Sequence, residues 1–144
     1  MLSAQTLSVS IDRAYDDVYA FACRPDNFPT WAEGLGQGLE SRPGGIWVTE
    51  TPLGMAEVEF SPHNAFGVLD HIVNMPQGPV YVPLRVVRNG NGCEVMLTVF
   101  RQAAMSDAAF QSDLDAVARD LAKLKDLLEQ KESSVVRVDF GNRG

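Results

Sequence analysis

The chain has 144 residues, 45% of them hydrophobic and 22% charged, with 12 Lys+Arg against 19 Asp+Glu for a formal charge of −7. One domain of ordinary size with a sizeable core is expected. The acidic balance and the scattered basic residues argue against a nucleic-acid partner and against an anionic membrane surface.

Taken in chain order, Thr6–Ile11 alternates polar and apolar residues and reads as a half-buried strand. Asp12 is placed to cap a helix in which Asp16 and Asp17 sit near the positive end while Tyr15, Val18, Phe21 and Ala22 share a face. Arg24-Pro25-Asp26 ends that helix and opens a second short one, closed by Pro29 and Trp31. From about Leu39 to Arg101, breaks at Gly44-Gly45, Pro52-Leu53-Gly54, Ser61 to Gly67, Pro76 to Pro79 and Asn89 to Gly92 mark an antiparallel meander of six strands. Ser106 to Lys131 then carries Phe110, Leu114, Val117, Leu121, Leu124 and Leu128 at alternating spacings of four and three, a long helix with one apolar stripe and Ser106 as its cap. At about 1.5 Å per residue it spans nearly 40 Å, enough to lie across a sheet. Residues 133–144 read as a tail around a short strand-like Val135-Val136-Arg137-Val138, so the domain is expected to end near residue 132.

Strand, two short helices, meander and long C-terminal helix resembles the START-like superfamily, also called SRPBCC, which includes polyketide cyclase-like and plant allergen-like proteins. The resemblance rests on Ser8-Val9-Ser10-Ile11 followed by Tyr15 to Phe21, on Asn27-Phe28-Pro29-Thr30-Trp31, and on the helix from Ser106. Gly67-Val68-Leu69-Asp70-His71 with Asn89 to Glu94 is similar to an uncharacterised bacterial subgroup of it. It implies an α+β helix-grip fold: a seven-stranded antiparallel curved sheet around the last helix, with a cavity between them for an apolar or amphipathic ligand.

Strand parity gives a lining from the residues themselves. A two-residue turn at Gly90-Asn91 places Val80, Val82, Leu84 and Val86 on one face with Val99, Leu97, Val95 and Cys93, and this aliphatic face is the inner one. Pairing Met75 with Val80 carries that face onto Leu69, His71, Val73 and Met75, so His71 points inward. Pairing Thr51 with Met55 puts Ile46, Val48 and Glu50 with Phe60, Val58 and Ala56, so Glu50 points inward too. Glu50 and His71 are then the catalytic candidates, a carboxylate orienting an imidazole for proton abstraction, with a rim carboxylate and a satisfied core histidine as the alternative. Trp31 either gates the cavity mouth or plugs the second helix against the sheet. Arg88 and Arg101 either hold a ligand carboxylate or form rim salt bridges. Phe60, Met75, Leu97, Phe110, Leu114 and Val117 complete the expected lining.

No metal and no cofactor are expected. Glu57 and Glu59 face outward, His63 and Asn64 suit a turn, and the nucleotide-loop and nucleophile-elbow motifs are absent. Cys23 and Cys93 read as buried free thiols. No apolar run reaches the roughly 18–20 residues of a membrane span and Met1 to Gln5 lacks signal-peptide character, so a cytoplasmic protein is expected. The functional expectations are binding of a small apolar or amphipathic molecule, a cyclase, dehydratase or isomerase using Glu50 and His71, or an interaction module or homodimer through an outer sheet face bearing Trp47, Met55, Met96 and Phe100.

Overall fold

A computed structural model describes residues 1–33, 38–51 and 54–143, with side chains to residue 130. Its strands are β1 (Ala4–Ile11), β2 (Glu40–Arg42), β3 (Ile46–Thr51), β4 (Gly54–Phe60), β5 (His71–Met75), β6 (Gly78–Val82), β7 (Leu84–Asn89) and β8 (Gly92–Phe100). Its helices are α1 (Tyr15–Ala22), α2 (Phe28–Trp31, preceded by a 3₁₀ turn at Pro25–Asn27) and α3 (Asp107–Arg143). All pairings are antiparallel, in a three-stranded sheet β1-β8-β7 and a five-stranded sheet β2-β3-β4-β5-β6.

Among the described residues the single seven-stranded sheet of the sequence reading is thus replaced by eight strands in two sheets, and Pro83 is the physical reason for the division into two. Proline has no N–H for a ladder, so the run from Val80 to Val87 cannot continue as one strand. The next amide, Leu84 N–H, is taken by Asp70 Oδ1 at 2.9 Å, and Pro83 O accepts from Thr98 N–H at 3.0 Å. The chain leaves β5 there and joins β8. Asp70 also receives Arg85 Nε at 2.9 Å and Nη2 at 2.7 Å, and the hydrogen bonds from Arg85 hold its carboxyl below the ordinary value.

Ser106 caps α3 as expected, its Oγ accepting Ala109 N–H at 3.1 Å. Asp12 does not cap α1: the helix starts after Ala14, without a side-chain cap, and the Asp12 N–H donates to Glu129 Oε2 at 2.9 Å. The α3 backbone continues to Arg143, through the segment read as a strand-like tail. From Glu132 to Phe140 that stretch contains neither Gly nor Pro, and each added residue closes one more helical bond.

One contiguous core joins the layers. Val18, Val58, Leu84, Val86, Val95, Leu121, Leu124 and Leu128 are all buried within it. The α3 stripe therefore grips the sheet as its spacing requires, and at about 25 cal/mol per Å² of apolar area this burial is the main stabilising contribution. Polar ties fix the same half of the helix. Lys125 Nζ donates to Ser10 O at 2.8 Å and to Glu129 Oε2 at 2.7 Å, and Arg13 Nη1 donates to Leu128 O at 2.8 Å. Cys93 is buried, Cys23 is part-buried, and both are free.

Candidate functional site

Three registers decide which side chains face the helix. β7 and β8 pair Leu84 with Leu97 and Asn89 with Gly92, as expected, so Leu84, Val86, Cys93, Val95 and Leu97 are buried together. β5 and β6 are joined two residues tighter than expected, with Met75 opposite Gly78 and Val73 opposite Val80. A shift of two preserves the face, and His71 points inward beside Phe60.

The third register corrects the sequence reading. Thr51 pairs with Gly54, not Met55, so Thr49 faces Ala56 and Trp47 faces Val58. A slip of one residue turns every β3 side chain over. Thr49 is buried, its hydroxyl donating to Gly38 O at 2.8 Å, while Glu50 lies exposed on the outer face opposite Met55. Glu50 therefore does not share a face with His71, and the carboxylate–imidazole pair is not assembled. The same slip takes Trp47 out of the expected outer apolar patch and packs it against the core. Pro52 and Leu53, on which that turn depends, lie outside the described residues.

Aromatic contacts organise the inner site. Phe28 lies 5.2 Å from Trp31, 4.9 Å from Phe60 and 5.5 Å from His71, centroid to centroid, and Phe60 lies 5.5 Å from His71. Trp31 is 2% exposed, so it packs α2 into the core, and its Nε1–H is buried without a hydrogen-bond partner among the described residues. His71 is 8% exposed, and its Nδ1 lies 3.1 Å from Leu69 O. Burial holds this imidazole below its ordinary pKa, against the opposing pull of the Leu69 carbonyl and the Asp70 charge, so it is neutral at pH 7.

The two arginines stand at the rim. Arg88 lies over the Tyr15 ring at 4.1 Å and 3.8 Å from Asp16, while Arg101 donates to Met105 O at 2.9 Å and pairs with Asp107. Asn64 holds its loop, accepting Phe66 N–H at 2.9 Å and Val68 N–H at 3.1 Å and donating to Val68 O at 2.8 Å; His63 packs edge-on against Tyr19. Among the described residues no group of three or more His, Cys, Asp or Glu is placed to hold a metal, and no helix is long and apolar enough to cross a membrane.

Asp120 is a residue the sequence reading missed. Its Oδ1 accepts Glu33 N–H at 3.0 Å, just beyond α2, and Arg119 pairs with Glu33 at 3.3 Å. Burial pushes its pKa up to about 6, reinforced by the Glu33 charge and opposed by the Glu33 N–H, Arg119 and Lys123. The signal was present: Asp120 falls three residues after Val117 and four before Leu124, on the edge of the apolar stripe. A carboxyl whose folded pKa lies above its unfolded value stabilises the fold below about pH 4 and loses that contribution as pH rises through about 6. Asp120→Asn keeps the acceptor and removes the charge. It is expected to raise Tm by about 1–3 °C at pH 7.5, a figure reduced for partial solvation, and to leave Tm unchanged near pH 4. Thermal melts at both pH values check this; an equal shift at both would show that the charge is not the cause.

A depression of about 400 Å³ lies at the Pro83 end of β6, lined by Glu59, Ile72 and Tyr81, which stand in register across β4, β5 and β6, and also by Phe60, His71 and Val82. It is open, and its acids are engaged: Glu59 accepts from Asn74 Nδ2 at 2.7 Å and Asp70 holds Arg85. The inner face, with its buried polar groups in an aromatic cluster, is the stronger candidate.

Neither a family model nor a curated protein matches this sequence. Solved structures do match. XoxI from Bacillus cereus superposes with a TM-score of 0.72 at 17% identity, over 91% of this chain and 99% of that one. The Aha1 dimer from Colwellia psychrerythraea gives 0.69 at 15%, over 89% and 97%. A START superfamily protein from Mycobacterium smegmatis gives 0.68 at 10%, over 88% and 97%.

Proposed function

The chain has the START-like fold, and on that premise we propose that it binds a small apolar or amphipathic molecule between the inner face of β5 and β6 and the N-terminal half of α3. The carrying observation is a difference in cover between two faces of the same parity. On β7 and β8 the inward residues Leu84, Val86 and Val95 are fully buried. Of the inward residues on β5 and β6, His71 is buried and Val82 packs against the contiguous core, whereas Val73, Met75 and Val80 are only part-buried and are not among its residues, and the same holds for Phe110 on α3. Leu114 is buried yet also lies outside that cluster. Apolar surface left uncovered on this face favours an apolar occupant, since each Å² removed from water contributes roughly 25 cal/mol.

The described ties of α3 to β1 and to the segment after α2 run from Arg119 to Glu129, while its first turn is tied to the end of β8 through Arg101 and Asp107. With Glu50 on the outer face, binding is favoured over the acid/base reaction built on Glu50 and His71.

Calorimetric titration with 1-methylnaphthalene, a purely apolar probe, tests the proposal, together with native mass spectrometry of freshly purified protein. Saturable one-to-one uptake that is unchanged by Glu50→Gln and weakened about tenfold by Val73→Asp is the expected result. No uptake of the probe and no retained small molecule would overturn it.

A further inference from the structure

We infer that the depression at the Pro83 end of β6 is a second ligand site and that it takes a small organic cation, its ammonium group held by Glu59 and a flat apolar body lying over Ile72 against Tyr81. The inference goes beyond the binding reading above and does not depend on it. Glu59, Ile72 and Tyr81 alternate along their strands with the inward Phe60, His71 and Val82, so they rise from the opposite face.

The registers bring the three side chains together. Glu59 lies opposite Ile72 and Ile72 opposite Tyr81, so they form one row across neighbouring strands. At about 4.8 Å between strands, Glu59 and Tyr81 stand about 10 Å apart with Ile72 between them. All three line the depression of about 400 Å³, a volume within the range of small-molecule sites. Tyr81 is 58% exposed, an aromatic ring left uncovered at the wall of a hollow, and Val82 and Pro83 continue the apolar lining.

The charge of the lining selects the ligand's polar end. It holds two carboxylates, Glu59 and Asp70, and no Lys or Arg. Asp70 is neutralised by its two bonds from Arg85 and also accepts Leu84 N–H. Glu59 differs. Asn74 Nδ2 donates to its Oε2 at 2.7 Å, which orients the carboxylate without cancelling its charge, and among the described residues no Lys or Arg pairs with it. An anionic ligand would be repelled there, and an alcohol would leave the charge uncompensated. A metal ion needs several protein ligands, and among the described residues no group of three His, Cys, Asp or Glu is placed to hold one. An ammonium brings one positive charge and its N–H donors to one oriented carboxylate, while a ring behind it covers the apolar surface of Ile72 and Tyr81.

The test compares 2-phenylethylamine, a cation with a ring-sized body, with its neutral and anionic counterparts 2-phenylethanol and 3-phenylpropanoate, by ¹H–¹⁵N titration at pH 7 and low salt. The amine is expected to shift the Ile72 and Tyr81 amides saturably and to bind about fivefold more tightly than the alcohol, and the anion to leave them in place. Glu59→Gln is expected to abolish the preference for amine over alcohol, whereas Tyr81→Ala weakens both about fivefold. Glu57→Gln is the control: it removes the same charge from the same face of β4 but outside the depression, and the preference is expected to survive it. Equal binding of amine and alcohol by the wild-type protein overturns the inference. So do equal effects of Glu57→Gln and Glu59→Gln, which would mean attraction by net charge alone, and amine-induced shifts confined to the amides around Phe110 and Leu114, which would place the amine on the inner face. Glu59 and Tyr81 are exposed, and if either variant fails to fold the wild-type comparison decides. Each of these outcomes leaves the binding reading standing, since 1-methylnaphthalene decides that one.

Discussion

Gly67→Ala is expected to remove a large part of the protein's stability, about 3–4 kcal/mol or more against the roughly 5–15 typical of a domain. Gly67 sits at φ +70°, and a Cβ there would stand 2.1 Å from Val86 O and 3.1 Å from Tyr15 Oη. The Val86 carbonyl belongs to a strand and cannot retreat. The amide of the same residue donates to Gly67 O at 2.9 Å, so relieving the clash means breaking the bond that ties the Ser61–Gly67 loop to β7. Gly44→Ala is the matched control, because Gly44 has φ +85° and open space around it. It is expected to lose only the left-handed backbone penalty, about 1–2 kcal/mol. Urea midpoints of the two variants separate the effects, and equal losses would show that the contact with β7 does not matter.

The second large effect separates the core half of α3 from its binding half. Leu124 has no exposed surface, and Leu124→Ala is expected to cost about 2–5 kcal/mol through lost burial and the cavity left behind. Phe110 is part-buried and outside the contiguous core. Phe110→Ala is expected to cost only about 1 kcal/mol while weakening 1-methylnaphthalene binding about tenfold. Urea unfolding and calorimetry on both variants check the split. A Phe110→Ala protein as unstable as Leu124→Ala would mean that the first turns of α3 are ordinary core.

The element order was legible because it rests on strong local signals: glycine and proline at strand spacing, a change of period at Ser106, and a serine positioned to cap. What was not legible depended on single residues in turns. The turn after β5 is two residues shorter than the sequence suggested, but an even shift leaves each side chain on its face, and His71 stayed inward. The turn after β3 is shorter by one, and that odd shift exchanged Glu50 for Thr49 on the inner face and brought Trp47 inward. Turn length cannot be read from composition when Pro, Leu and Gly each fit a turn of two or three residues. Pro83 was visible in the sequence, yet the apolar alternation around it concealed its role as the point where the chain changes sheets. Trp31 and Asp120 show a different limit. A tryptophan without a partner and a carboxyl near neutrality are properties of what surrounds a side chain, and helical spacing supplied only a hint for the second.

The pairing of β1 with β8 governs how the chain can be made as well as how it is held. Ala4 lies opposite Phe100 and Ile11 opposite Cys93, so β1 finds its partner only across the whole stretch between Ile11 and Gly92. The hairpin of β7 and β8 and the meander of β3 to β6 can close from neighbouring residues, whereas closing so long a loop requires an entropy loss before any contact compensates it. During synthesis β1 therefore waits unpaired while the meander emerges, and α3, which packs across β1 and β8, has no platform until those two strands have paired. Refolding is accordingly a late and cooperative closure, in which α3 secures β1.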